Sequence, residues 1–455
     1  MKYGRKTMIK TLILGVGAVS IFIFTLDFQL ENQEDKQITS SLQKENNPPT
    51  QPQKKPKVVN KSEESIPNKA SKEREYNLES QMVLLLDNAL EAKNQGDFQK
   101  SLELLNQIID TLQDQHSLAL ERLYAQASFS KALLFRFQLN NPYDAIQTYQ
   151  TIQQRFKKRQ ELPLLLYYAK AGFDQAQMEN KERSIEIYND IIQTFQSSQE
   201  IELLKKFAQA SFEKSYLSSS DEAIEIYDTI IQRFQKSDNP ELLEDLYNAQ
   251  MNKAYVLEHY QNEIEETIEV YDEIIDKFSN YSESSAEEKV ENALFSKSFL
   301  LMGDSYEEAM ENFDKIIDKY RNELDEGYIK TPPQKMVFSL VNNIEISLIS
   351  NNDDTEYQEL AQEYFSEDSS SHTEIEMLNI LKNAQEEDQS EAIQAWEEKH
   401  KDFQFENWSF DKLEEWNAQM EESEIKTRIR DYLDRFIKHY DSPSNVKENK
   451  IETTP

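Results

Sequence analysis

A twelve-residue phrase, "AIEIYDTIIQRF" at 223–234, recurs through the chain and limits its fold more than any other feature. Its relatives are "SLELLNQIIDTL" (101–112), "AIQTYQTIQQRF" (145–156), "SIEIYNDIIQTF" (184–195), "TIEVYDEIIDKF" (267–278) and "AMENFDKIIDKY" (309–320). Apolar residues fall at positions 2, 5, 8, 9 and 12 of each copy, which is helical spacing. A small residue at position 1 (Ala, Ser or Thr) lets a neighbouring helix approach closely. Six one-sided helices of the same kind must bury their apolar faces against something, and the economical solution is against one another.

A second phrase travels with the first: "AQASFSKA" (125–132), "AKAGFDQA" (169–176), "AQASFEKS" (208–215), "NAQMNKA" (248–254) and "NALFSKS" (292–298). The interval between copies of the first phrase varies from 39 to 44 residues, and the variation has a location. Leu112 to Ala127, Phe156 to Ala171, Phe195 to Ala210, Phe234 to Ala249 and Phe278 to Ala293 are all 15 residues. All the variation lies in the turn from the second phrase to the next copy of the first, short in "YLSSSDE" and long in "YVLEHYQNEIEE". A repeat stack behaves in this way, because helix packing sets the joint while insertions settle on one edge.

The unit resembles the tetratricopeptide repeat (TPR) family. "LEAKNQGDFQKSLELLNQII" places Gly96, Phe98 and Ser101 where that family has glycine, an aromatic and a small residue, and "LMGDSYEEAMENF" (301–313) is similar to it. The family's usual period is 34, so this chain looks like a longer-helix relative. Pro163 and Pro240 mark the starts of the lengthened first helices. The resemblance implies an all-α, TPR-like helix-turn-helix solenoid over residues 76–345 and a protein- or peptide-binding role. It says little about the client, because such arrays bind many unrelated ones.

The ends differ from the middle. Lys2, Arg5, Lys6 and Lys10 precede an uncharged, mostly apolar run, Thr11–Leu26. Residues 1–30 therefore read as a signal-anchor or transmembrane segment, with a cleaved signal peptide as the alternative. The positive charges stay cytoplasmic, which puts the array outside the cytoplasm, periplasmic or extracellular, or secreted after cleavage. Residues 31–75 hold Pro48, Pro49, Pro52, Pro56 and Pro67 among Gln, Asn, Lys and Ser, and read as a disordered tether. Beyond the array, residues 346–441 read as divergent repeats and a C-terminal helical cap. "KMVFSLVNNIEISLI" (335–349) forms another first helix. "SFDKLEEWNAQM" and "IKTRIRDYLDRFIKHY" supply two amphipathic capping helices. Residues 442–455 read as a disordered tail.

Charge and composition remove several function classes. The net charge is −35. A strongly acidic chain is a poor partner for nucleic acid or anionic lipid surfaces, which leaves the N-terminal segment as the contact with membrane. Cysteine is absent, and the five histidines (116, 259, 372, 400 and 439) form no metal-ligating pair at helical spacing. "NNDDTE" at 351–356 lacks the spacing and glycine of an EF-hand loop. No glycine-rich phosphate loop follows a strand. The residues point to no catalytic centre, metal or cofactor, and so to a binding protein rather than an enzyme.

One row stands out. Lys131, Gln175, Lys214, Lys253 and Lys297 occupy the equivalent place of successive first helices in an otherwise acidic array. The row is the candidate peptide-binding site, suited to an acidic or carboxylate-terminated segment. The other reading is that each lysine pairs with an acid on a neighbouring helix, where Glu186, Glu225, Glu269 and Glu311 also recur in register. The aromatic row Tyr149, Tyr188, Tyr227, Tyr271 and Phe313 reads as inter-repeat core. The chain as a whole is expected to be a membrane-tethered scaffold for protein–protein or peptide binding. The alternatives are a non-catalytic envelope spacer and an accessory or substrate-binding subunit of an enzyme complex.

Overall fold

The computed structural model describes residues 69–364, apart from 283, 303, 304, 351 and 352, together with residue 395. The expected membrane segment, most of the tether, the capping helices and the tail lie outside the described residues. Among those described there are fourteen α-helices, two π-helical turns and no strand. The chain divides into two compact units, one over residues 63–312 and one that includes residues from 313 onward.

The first unit is a repeat stack. Its first helices are α1 (Lys69–Asn94), α3 (Leu118–Leu133), α5 (Leu162–Ala176), α7 (Ile201–Leu217), α9 (Pro240–Val256) and α11 (Ser284–Leu301). Its second helices are α2 (Phe98–Leu112), α4 (Pro142–Phe156), α6 (Lys181–Phe195), α8 (Ser220–Phe234), α10 (Ile264–Phe278) and the start of α12 (Tyr306–Asp325). Helix α1 begins at Lys69, seven residues before the array's expected start, because "KASKEREY" after Pro67 is made of helix formers.

Local signals start the second helices. Asp97, Asn141, Asn180 and Ser219 each accept a hydrogen bond from the backbone N–H three residues on. Ser219 and Glu222 form a reciprocal capping box. Gly96, at φ +83°, ends α1 in the left-handed region that favours glycine.

Each second helix from α2 to α10 buries positions 1, 5, 8 and 12 of its phrase, as in Ala223, Tyr227, Ile230 and Phe234. Positions 2 and 9, Ile224 and Ile231 there, are only partly buried at the seam. The five alanines that define the constant 15-residue joint, Ala127, Ala171, Ala210, Ala249 and Ala293, are all fully buried. Four edge-to-face aromatic pairs recur within the repeats, from each first helix to the second helix that follows it: Tyr124–Phe156, Tyr168–Phe195, Phe207–Phe234 and Tyr247–Phe278. Their ring centroids are 5.8–6.2 Å apart and their interplanar angles 78–88°. The row Tyr149, Tyr188, Tyr227, Tyr271 and Phe313 is buried throughout, as its spacing predicts.

On three second helices a basic residue at position 11 reaches back and caps an earlier second helix. Arg155 donates to the carbonyls of Gln113 and Gln115, Arg233 to those of Gln196 and Ser198, and Lys277 to that of Ser237. Carbonyls left open at a helix C-terminus are satisfied by the next repeat.

The variable edge behaves as the sequence predicts. Only Ser218 and Ser219 separate α7 from α8, whereas a π-helical turn extends α3 (Leu134–Gln138) and another extends α9 (Leu257–Gln261). Asn140 and Asn262, at φ 46° and 59°, turn the chain out of these extensions.

The second unit includes the remainder of α12, α13 (Gln334–Ser350) and α14 (Thr355–Tyr364). Ile317, Met336, Leu340, Val341, Ile344, Leu360 and Ala361 form its core. Asp314 accepts hydrogen bonds from Asn343 at 2.8 Å and the Tyr357 hydroxyl at 3.2 Å. Helix α13 is the first helix expected from "KMVFSLVNNIEISLI".

Candidate functional site

Every member of the lysine row lies near the end of its own first helix, and Lys131, Lys253 and Lys297 stand between two second helices. Lys253 on α9 places Nζ 2.9 Å from Asp228 Oδ1 on α8 and 3.5 Å from Glu266 Oε1 on α10. Lys297 on α11 places Nζ 2.7 Å from Asp272 Oδ1 on α10 and 2.7 Å from Glu308 Oε1 on α12. Burial works against both charges, but the hydrogen bonds and the attraction of the paired carboxylates outweigh it. Both ammonium groups are therefore held above the ordinary lysine pKa. Lys214 lies within electrostatic reach of Glu222 at the start of α8. For Lys131 the balance reverses: burial lowers its pKa, opposed by Asp110 and Asp144. Gln175 is buried, accepts from Gln153 at 2.6 Å and donates to Glu179 at 2.8 Å.

The acids that meet Lys253 and Lys297 are not the recurring Glu225, Glu269 and Glu311. They lie three residues to either side, at phrase position 6 of the preceding second helix and just before position 1 of the following one. That second register reads Asp144, Arg183, Glu222, Glu266 and Glu308. It is acidic opposite every lysine and basic only opposite Gln175, a charge correspondence already present in the sequence.

The first helices also touch one another, α1 with α3 and so on through α9. Their remaining face carries a different row, one residue before each buried alanine: Gln126, Lys170, Gln209, Asn248 and Asn292. Gln209 and Asn248 are exposed and the other three half-buried. Asn292 donates to the Tyr247 hydroxyl at 3.1 Å. Four amides in five matched places offer paired donors and acceptors along the stack. Spacing had flagged only the lysines, because they were conspicuous against the acidic background.

A turn further on come Ser130, Asp174, Glu213, Asn252 and Ser296. Arg136, on the first π-helical turn, donates to Asp174 Oδ1 at 2.9 Å and to Gln177 Oε1 at 3.0 Å. The Tyr149 hydroxyl lies beside this pair, its pKa pushed up by burial and then by the Asp174 charge. On the next joint the Tyr188 hydroxyl is pushed up by burial and by Glu213 in the same way. Burial raises the Glu213 carboxyl itself, and no cation offsets it. Nearby, Tyr216 is exposed, and Asn252 stands beside its hydroxyl. On α9, burial pushes Asp245 up to about 7, against Lys205 and with help from Glu244 and Glu241.

No protein family and no curated protein sequence matches the chain. Among solved structures, it is similar to the apo form of RapI at 13% identity and a TM-score of 0.39, over 79% of this chain and 98% of that one. It is also similar to a Rap protein complexed with competence and sporulation factor, at 14% identity and a TM-score of 0.31, with 79% and 98% covered. Neither likeness adds to what the helix pairing already establishes: an all-α, TPR-like repeat fold.

Proposed function

We propose that the chain is a membrane-tethered scaffold whose repeat stack binds protein or peptide segments outside the cytoplasm. The observation that carries the binding role is the amide row Gln126, Gln209, Asn248 and Asn292, held in one register by the buried alanines beside it. Side-chain amides spaced along a stack match the alternating N–H and C=O groups of an extended chain. This moves the site from the lysine row to the other face of the same helices. The preference for an acidic or carboxylate-terminated ligand goes with it, because Lys253 and Lys297 each already meet two carboxylates.

The tether and the orientation rest on Lys2, Arg5, Lys6, Lys10 and the apolar run that follows. Among the described residues no helix is long and apolar enough to cross a membrane. An envelope spacer would leave the amide row without a client.

The test is site-specific photocrosslinking in intact cells. Crosslinkers at Gln209 and Asn248 should capture a defined polypeptide, and crosslinkers at Glu225 and Glu269 on the second helices should not. Equal capture from both faces, or capture from neither, would sink the binding role.

A further inference from the structure

Two successive joints of the stack place an acid beside a buried tyrosine in the same register, and they differ in the cation that meets it. In the first, Asp174 on α5 stands beside Tyr149 of α4, and the guanidinium of Arg136 sits on the carboxylate at 2.9 Å. In the second, Glu213 on α7 stands in the same register beside Tyr188 of α6. Arg136 reaches its acid because the connection from α3 to α4 is extended by the π-helical turn Leu134–Gln138. The connection from α5 to α6 is the short "QMEN" of residues 177–180, which has no extension and no basic residue. Among the described residues Glu213 is thus left half-buried with neither a hydrogen bond nor an ion pair. A partly desolvated carboxylate without a counter-charge is costly to keep, so its retention in a structural joint asks for a reason.

We infer that Glu213 is a docking point for an arginine side chain of a partner polypeptide, which fills from outside the place that Arg136 fills from within at the neighbouring joint. The first joint supplies the ligand chemistry: a planar guanidinium, donating to the carboxylate and to an amide oxygen as Arg136 does to Asp174 and Gln177. Asn252 and Tyr216 stand nearby on the free face. The amide row passes one turn below, since Gln209 precedes Glu213 by four residues on the same face of α7. An extended segment lying along the amides would present one side chain at Glu213. Burial already raises the Glu213 carboxyl, as expected of a group that lacks its cation.

This inference rests on the peptide-binding reading above, and the experiment separates the two. A bead library of random octapeptides is screened with the purified full chain and with Glu213→Gln. The wild type should select sequences enriched in arginine. The same peptides should bind Glu213→Gln about ten- to a hundredfold more weakly, the usual loss for a hydrogen bond to a charged group. Replacing the selected arginine by citrulline, its neutral isostere, should produce the same loss in the wild type and little further loss in the variant. Glu213→Gln should melt no earlier than the wild type, which separates lost binding from lost fold. Peptides that bind without arginine, or equally well to both proteins, would overturn the role of Glu213 and leave the peptide-binding reading standing. If no peptide binds either protein, both fall.

Discussion

Lys253 Nζ lies 2.9 Å from Asp228 Oδ1, and through this contact a first helix holds the second helix before it while reaching for Glu266 on the one after. The lysine side chain is only 15% exposed, but its acids are 40% and 49% exposed, so the pair is worth more than a surface contact and less than a buried one. Lys253→Gln should lower stability by about 1 kcal/mol. A double-mutant cycle with Asp228→Asn should show a coupling of roughly 0.5–1 kcal/mol that shrinks in about 1 M salt, where screening acts over ~3 Å. Zero coupling at low salt would mean that the contact does not bind the repeats together.

Tyr227 is buried between α7 and α8, its ring against Phe212 and its hydroxyl accepting from Ser215 at 3.0 Å. Tyr227→Ala should cost about 3 kcal/mol by leaving a cavity. Tyr227→Phe should cost about 1 kcal/mol, the value of the hydrogen bond alone. Denaturant melts of the two variants give both numbers, and equal losses would show that the hydroxyl and not the ring holds the joint. Hydrogen exchange after Tyr227→Ala should quicken in α7 and α8 before it does in α2.

Asp245 gives the stack a pH dependence. Its carboxyl is pushed up to about 7 by burial, and Oδ2 has no hydrogen-bond partner. A raised folded-state pKa means stability that is fully present below the unfolded value near ~3.9 and lost as pH rises through about 7. Asp245→Asn should abolish that loss and leave the variant more stable than wild type by roughly 2 kcal/mol above pH 8. Melts at pH values on either side of 7 decide it, and a constant difference between the two proteins would remove Asp245 as the cause.

The topology is open to a direct assay. Protease added to spheroplasts should digest the repeat stack while a cytoplasmic control survives. Mature protein should still begin with residues 1–30 attached. A protected stack would reverse the orientation, and an N-terminus starting after residue 26 would replace the anchor by a cleaved signal peptide.

The stack was largely legible in advance because its signals are local and repeated. Small residues at position 1, helical apolar spacing and the constant 15 residues to a buried alanine each survive as packing contacts. Partners across the joint were harder to see. Glu225 and Glu269 share the lysines' periodicity, but a helix turns about 100° per residue, and the acids within reach prove to be Asp228 and Glu266. The opposition of Gln175 and Arg183 held that information in plain sequence. Arg136 and Asp174 could not have been matched, because the π-helical turn that carries Arg136 contains neither proline nor glycine to announce it. Glu213 owes its interest to what is missing from the loop beside it, and an absent residue has no periodicity.

The caps that reach back along the stack give the chain a direction in time. Arg155 closes carbonyls 40 and 42 positions behind it, Arg233 closes those 35 and 37 behind, and Lys277 closes one 40 behind. On a ribosome, α2, α6 and α8 therefore emerge with their ends open and stay so until most of the next repeat has been made. Nascent chains long enough for Phe234 to clear the ribosome should protect α6 from protease, and chains whose Arg233 is still inside the exit tunnel should leave the last turn of α6 frayed. Growth of this stack is a zipper in which α2, α6 and α8 are each locked by the tooth that follows.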